Sequence, residues 1–143
     1  MNEIAAALEA TALAQHLKAA RWTYALVNAG HIFGLALLIG SIIPMDLRLI
    51  RGDASAEWLK WFAAAGVALA VTFGLLLFIT QATDYIANPW FLAKMVLLVL
   101  ALANIVLHPH LAELSDGRKR VVGLLSLALW PAVLLSGRMI AYV

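Results

Sequence analysis

Four long stretches with almost no charged side chains constrain this 143-residue chain more than any other feature. They cover residues 22–45, 61–83, 95–112 and 121–143, and the only Asp, Glu, Lys or Arg within them is Arg138. Each has about 18 residues or more, which is enough for an α-helix to cross a hydrocarbon core of roughly 30 Å. The pattern predicts an all-α integral membrane protein with spans at about 22–45, 61–83, 91–112 and 121–143.

The composition excludes the main classes of soluble protein. Hydrophobic residues make up 64% of the chain and charged residues 13%, and the mean hydropathy is +0.93. In an ordinary soluble domain, roughly half of the residues are hydrophobic and roughly a quarter are charged. A soluble enzyme, a disordered chain and a nucleic-acid binder are therefore excluded, and the lipid bilayer is the expected partner. The chain contains no Cys, which excludes disulfides and thiolate metal sites.

Short connections between the spans predict an up-down four-helix bundle over residues 22–143. Pro44 and the charged stretch 46–53 are expected to end the first span, and Asp116–Gly117 to break the chain before the fourth. Residues 1–21 carry apolar side chains on one side of a helical pattern. They predict an N-terminal amphipathic helix at the membrane interface, or else a helical extension of the first span into water.

Basic residues predict how the chain is oriented. Six lie on one side of the predicted membrane: Arg48, Arg51, Lys60, Arg118, Lys119 and Arg120. Four lie on the other side: Lys18, Arg21, Lys94 and Arg138. Because cytoplasmic loops carry the excess of Lys and Arg, both termini are predicted to lie outside the cytoplasm.

Small residues recur at four-residue spacing in the first two spans. Gly30 and Gly34 form one pair, and Gly66, Ala70 and Gly74 continue the spacing in the second span. Small side chains let helix backbones approach closely, so helix packing is the expected role. The alternative is that Gly30 and Gly34 make room for a flat cofactor.

His31 is the strongest candidate for chemistry. It lies about nine residues into the first span, roughly 13 Å below the predicted membrane boundary. An ionisable group at that depth usually faces the bundle interior and indicates a functional site. Asn28 lies on the same helical face, three residues earlier. The alternative is a neutral imidazole that only hydrogen-bonds a neighbouring helix.

A polar stripe follows the third span. Lys94, Asn104 and His108 lie along one helical face, which should turn inward. Together with Asn28 and Arg138, Lys94 is a candidate for a polar, partly cationic ring that binds a carboxylate or a haem propionate. The alternative is that Lys94 and Arg138 extend to the interface on their long stems.

His108 is the candidate partner of His31 as second axial ligand of one haem, since histidine is a common haem ligand. Counting residues places His108 about 12 Å deeper than His31, or about 5 Å deeper if the membrane part begins near Val96. A second possibility is a copper site built from His31, His108 and His110, because imidazole also binds copper.

Two patterns occur together in this chain. One consists of His31, Gly34, Gly40 and the sequence Asp46-Leu47-Arg48-Leu49, and the other of residues 88–95 followed by Asn104 and His108. In these patterns the chain resembles an uncharacterised family of small bacterial four-span inner-membrane proteins. In the arrangement of its predicted membrane-spanning helices, the chain is also distantly similar to copper-resistance D proteins and cytochrome b561-type bundles. The resemblance implies a multi-pass protein of the bacterial inner membrane. In that membrane, the orientation predicted from the basic residues puts both termini in the periplasm.

We therefore predict a small b-type cytochrome or haem-holding electron-transfer subunit with at most one haem b, rather than a stand-alone enzyme. Quinone, a periplasmic redox protein, a membrane complex or a second copy of the chain are the partners considered. Two alternatives remain open at this point. One is a copper-handling membrane protein, and the other is a cofactor-free structural or assembly subunit.

Overall fold

The computed structural model describes residues 2–142, and every regular element in that range is helical. In chain order the helices are α1 (Asn2–Glu9), α2 (Ala12–Ala19), α3 (Arg21–Ile50), α4 (Lys60–Phe78), α5 (Ala82–Ala87), α6 (Pro89–Leu107) and α7 (Asp116–Met139). Single 3₁₀ turns occupy Glu57–Leu59, Leu111–Glu113 and Ile140–Tyr142. The predicted all-α class is confirmed.

Four of these helices are long and apolar enough to cross a membrane. With their flanking 3₁₀ turns they cover Arg21–Ile50, Glu57–Phe78, Pro89–Leu107 and Asp116–Tyr142. Between 11% and 28% of the most apolar stretch of each helix is buried inside the protein. Most of this apolar surface faces outward, which suits a lipid environment and not water.

Helix α3 is the centre of the packing. It contacts α4 on one side and α7 on the other, and α7 in turn packs against α6. The main core cluster takes side chains from all four long helices: Leu38, Ile42, Ala63, Ala101 and Trp130. The short helix α5 packs against α1.

Helices α3 and α4 approach closely because small residues line their contact. A Cβ on Gly34 would lie 2.5 Å from Ala70 N, and a Cβ on Gly66 would lie 2.5 Å from Leu38 N. At that distance no side chain fits without moving a backbone. The four-residue spacing of small residues therefore serves helix packing at this contact.

Two long helices differ from the predicted boundaries. Helix α3 continues through Pro44 to Ile50, although proline removes one helical hydrogen bond and costs about 3 kcal/mol in a helix interior. Ile42 and Leu49, on either side of Pro44, are buried in the two core clusters, and their packing contacts offset part of that cost. Asp116 and Gly117 begin α7 instead of breaking the chain before it.

The N-terminal segment forms two helices and not one. The chain bends after Glu9, and Thr11 caps α2 by accepting a hydrogen bond from Ala14 N at 3.3 Å. Ala14 and Leu17 of α2 are buried. Met1, the first residue of the predicted segment 1–21, and Val143, the last residue of the predicted span 121–143, lie outside the described residues.

Candidate functional site

A large cavity lies where the start of α3, the end of α4, the start of α6 and the end of α7 meet beside α5. It has a volume of about 710 Å³, within the size range of small-molecule sites. We call it the His31 cavity. Its polar lining consists of Asn28, His31, Gln81, Asp84, Asn88 and Lys94, and its aromatic lining of Phe78, Tyr85 and Phe91.

His31 ties α3 to α4 and also lines this cavity. Its Nδ1 lies 2.7 Å from the carbonyl oxygen of Ala70. Because a carbonyl only accepts, Nδ1 donates its hydrogen and Nε2 keeps a lone pair. A backbone carbonyl that orients an imidazole in this way is the usual second partner of a metal-binding histidine.

Gly74 makes the position of His31 possible. A Cβ at residue 74 would lie 3.1 Å from Cε1 of the imidazole and 3.2 Å from Nδ1. Those distances are shorter than most real Cβ contacts, so a larger residue would push the ring away from Ala70. The position of His31 therefore depends on a glycine of the neighbouring helix.

Lys94 supplies a positive charge to the same cavity. Its ammonium group lies beside α7 at Gly137, where a Cβ would be 3.3 Å from Nζ. Lys94 is half-buried and forms no ion pair with any residue in the range 2–142. A half-buried ammonium without a counter-ion favours an anionic group in the space beside it.

Three aromatic rings form one wall of the His31 cavity. The centroids of Phe78 and Phe91 are 5.4 Å apart and their planes differ by 13°, and Tyr85 lies 5.4 Å from Phe91. Burial raises the pKa of the Tyr85 hydroxyl, which therefore stays protonated at neutral pH. The wall offers flat apolar surface and one hydroxyl donor.

The cavity continues into an apolar cleft of about 400 Å³ between α4 and α6, which we call the α4–α6 cleft. His31, Gly74, Phe78, Phe91 and Lys94 line both spaces. Further along, the cleft is lined by Val67, Leu98 and Trp130. The indole Nε1 of Trp130 is buried and has no hydrogen-bond partner among residues 2–142.

A second, smaller cavity lies at the opposite ends of the same four helices. It has a volume of about 80 Å³, and we call it the Asp46 cavity. Its polar lining comprises Asp46, Lys60, Asn104, His108 and Ser126. Asp46 is 1% exposed, and its Oδ2 has no hydrogen-bond partner within the described part of the chain.

Of the residues that the sequence singled out, the structure brings Asn28, His31 and Lys94 together in the His31 cavity. Gly30 faces the ring of Phe73, and Gly34 faces the backbone of α4. Both glycines serve helix packing and do not line the cavity.

Arg138 lies on the outside of α7 and is exposed. Its guanidinium donates a hydrogen bond to the Tyr142 hydroxyl at 3.0 Å and stacks over that ring at 5.2 Å. The predicted cationic ring is therefore reduced to Lys94 with Asn28.

His31 and His108 lie in different cavities. His108 shares the Asp46 cavity with Asn104, whose backbone oxygen lies 2.9 Å from His108 Nδ1. Asp46 follows His31 by fifteen residues on α3, which is about 22 Å at helical rise. The structure does not bring these two histidines together around one haem.

His110 is exposed and lies outside both cavities. Within residues 2–142, no group of three or more His, Cys, Asp or Glu side chains is arranged to hold a metal ion. The proposed copper ligands His31, His108 and His110 are therefore not assembled into one site.

The sequence does not predict the burial of Asp46, because Pro44 and the charged stretch 46–53 indicate the end of the first span. Once the helix continues, Leu38, Ile42 and Asp46 follow one another at four-residue spacing, which places the carboxylate on the buried face. Within the charged stretch 46–53, Arg48 pairs with Asp53 at 3.7 Å. No sequence pattern predicts the aromatic wall, because Phe78, Tyr85 and Phe91 belong to three different helices.

Glu9 attaches the N-terminal helices to α5, next to the His31 cavity. Its carboxylate accepts hydrogen bonds from the Thr83 hydroxyl and the Thr83 backbone N–H, and Lys18 Nζ lies 3.0 Å away. The hydrogen bonds from Thr83 and Lys18 lower the pKa of Glu9 to about 2. Glu9 is therefore ionised at neutral pH.

Comparisons of the chain with protein-family models, with curated proteins and with solved structures find no match.

Proposed function

We propose that the chain is an up-down four-helix protein of the bacterial inner membrane. Two observations support insertion in a membrane. The outward faces of the four long helices are apolar, and Trp22, Trp58, Trp61 and Tyr142 are exposed near helix ends, as interfacial aromatic residues are. Six basic residues lie in or beside the connections 51–59 and 108–115, namely Arg48, Arg51, Lys60, Arg118, Lys119 and Arg120. Their excess over the four at the opposite helix ends supports an orientation with both termini in the periplasm.

Within that membrane, we infer that the protein binds one haem b in the His31 cavity and serves as an electron-transfer subunit. The observation that carries this proposal is the state of His31. Its Nδ1 hydrogen-bonds to Ala70 O, which leaves Nε2 as a metal ligand beside a large cavity. His31 would be the only histidine ligand, because His108 lies in the other cavity.

Other residues of the His31 cavity also suit a haem. Lys94 would pair with a propionate, and the rings of Phe78, Tyr85 and Phe91 would pack against the flat macrocycle. When bound, the haem supplies one-electron chemistry. The protein's contribution would be ligand identity, burial and nearby charge, which set the reduction potential.

Absorption spectra of the detergent-purified protein, oxidised and reduced, test this proposal. We expect a Soret band and about one haem per chain in the wild type, and loss of both in His31→Ala. A matched control, His108→Ala, keeps its haem. Because one axial position would lack a histidine, the reduced protein should also bind carbon monoxide.

A wild-type protein without a Soret band, purified under conditions in which control cytochromes keep their haem, overturns the proposal. So does loss of haem in His108→Ala with retention in His31→Ala. Metal analysis of the same sample distinguishes the copper hypothesis from the haem hypothesis, since stoichiometric copper without haem would support the copper hypothesis.

A second candidate function, quinone binding, is favoured by the α4–α6 cleft. The cleft is apolar and begins at His31 and Lys94, and the side chain of Trp130 forms part of its wall. A quinone ring carries two carbonyl acceptors and an apolar tail, which match these groups. Extraction of a quinone from haem-free purified protein, and its loss in Trp130→Phe, would support this function instead.

If neither group is bound, the cofactor-free hypothesis remains. His31 then acts only through its hydrogen bond to Ala70 O, and His31→Ala should alter the stability or assembly of the protein without changing any spectrum.

A further inference from the structure

The Asp46 cavity contains a buried carboxylate that the proposed function does not use. Asp46 is 1% exposed, and none of the four ion pairs found within residues 2–142 includes it. Lys60 lines the same cavity, but its ammonium lies 2.8 Å from Glu57 Oε1. The charge of Lys60 is therefore already balanced, and Asp46 has no counter-ion of its own.

Neutral oxygen donors surround the same space. The Ser126 hydroxyl and the side chain of Asn104 line the cavity with Asp46, and both residues are buried. Asn104 Nδ2 donates to Val122 O at 3.2 Å, so its amide is held in place and its Oδ1 remains an acceptor. A carboxylate, an amide oxygen and a hydroxyl are the donors that hard cations take.

We propose that the Asp46 cavity binds one alkali-metal cation, with the Na⁺ ion as the reference case. One carboxylate balances one positive charge, whereas a divalent ion would leave a net charge in a buried site. The volume of about 80 Å³ accommodates an ion with one or two waters, since a water occupies about 30 Å³ in the liquid.

The position of the site gives this binding a structural consequence. Asp46 lies on α3, Asn104 on α6 and Ser126 on α7, so the cation would join three of the four long helices at one end. Gly123 allows the close approach that the site needs, because a Cβ there would lie 3.1 Å from Asp46 O. A bound cation should therefore stabilise the whole helical assembly.

Thermal unfolding of the full-length purified protein tests this proposal. Replacing choline chloride by NaCl at the same ionic strength should raise the Tm by at least about 3 °C. Radioactive ²²Na⁺ should bind with a stoichiometry of about one per chain. In Asp46→Asn, both the Tm response and the binding should disappear.

Two further variants make the result specific. Ser126→Ala should weaken ²²Na⁺ binding while leaving the helix content unchanged. Asp53→Asn, which removes an exposed carboxylate at the same end, should respond like the wild type. In choline chloride, Asp46→Asn should be at least as stable as the wild type, because an uncompensated buried charge has been removed.

Equal Tm values in NaCl and choline chloride, together with no ²²Na⁺ binding, overturn the proposal. A wild-type Tm response that persists in Asp46→Asn also overturns it. If Asp46→Asn fails to fold, the comparison of Ser126→Ala with Asp53→Asn decides the question. These outcomes do not depend on whether the His31 cavity holds haem.

Discussion

At the residue scale, His31 carries two roles that the sequence presented as alternatives. Its Nδ1 joins α3 to α4 through Ala70 O, and its ring also borders a cavity of about 710 Å³. The two roles share one dependence, which is the absence of a side chain at Gly74.

Gly74→Ala should show whether ligand binding in the His31 cavity depends on the position of the His31 ring. The added Cβ would push the imidazole away from Ala70, so we expect the ligand in the His31 cavity to bind about three- to tenfold more weakly, in line with loss of one hydrogen bond. Haem affinity measured by titration of the apoprotein checks this. Gly117→Ala, where a Cβ meets open space, is the control and should bind like the wild type. Equal affinity in both variants would contradict the prediction.

Glu9 should make the docking of the N-terminal helices sensitive to pH. Its pKa is about 2 in the folded protein, against an ordinary value of 4.5. The carboxylate therefore stabilises docking fully above about pH 4.5, and this contribution is lost as the pH falls from 4.5 toward 2. A spin label attached at Ala12→Cys, in a chain without other cysteines, should become more mobile over that interval.

The same spin label tests whether Glu9 is the residue that holds the N-terminal helices in place. In Glu9→Gln the label should already be mobile at pH 7, because the charge that pairs with Lys18 is gone and the amide is a weaker acceptor for Thr83. Glu3→Gln, an exposed site on the same helix, should leave the label immobile. An immobile label in Glu9→Gln would show that Glu9 does not hold the segment.

At the element scale, the four long helices could be predicted because the exclusion of charge over about 18 residues is a strong signal. The course of α3 beyond Pro44 could not be, since local rules favour a helix end there and burial of Ile42 and Leu49 overrides them. Because the predicted end of the first span came before Asp46, the burial of Asp46 was not predicted. The separation of His31 from His108 was indicated by residue counting, but periodicity alone placed both in the interior.

The contact between α3 and α4 gives a prediction about packing. Gly34→Ala and Gly66→Ala each place a Cβ 2.5 Å from a backbone nitrogen of the other helix, so we expect a loss of about 1–3 kcal/mol of stability for each. Thermal unfolding in detergent measures this. Gly40→Ala, on α3 with no atom within 4 Å of its Cβ, should be neutral or slightly stabilising. A loss in Gly40→Ala equal to that in Gly34→Ala would contradict a packing role.

At the scale of the whole molecule, two cavities lie at opposite ends of the same four helices. The His31 cavity is large, has an aromatic wall and is lined by Lys94 and Asp84, whereas the Asp46 cavity is small and is lined by a carboxylate that forms no ion pair within residues 2–142. Placed in a membrane with the basic loops in the cytoplasm, the first would face the periplasmic side and the second the cytoplasmic side.

Single-cysteine labelling of intact cells tests that arrangement. Gln81→Cys, next to α5, should react with a membrane-impermeant maleimide added outside the inner membrane. Ser55→Cys and Ser115→Cys, in the two basic loops, should react only after the membrane is permeabilised. Reaction of Gln81→Cys and Ser55→Cys from the same side would contradict the four-span topology, and full reversal would contradict the orientation alone.

The central claim is that the space beside His31 holds a redox ligand bound through its imidazole. An experimental density map of the protein purified from membranes tests this most directly. We predict a flat non-protein feature in the His31 cavity, connected to His31 Nε2 and close to Lys94. A map in which the His31 ring faces acyl chains, or in which protein side chains fill the space beside it, would contradict the account.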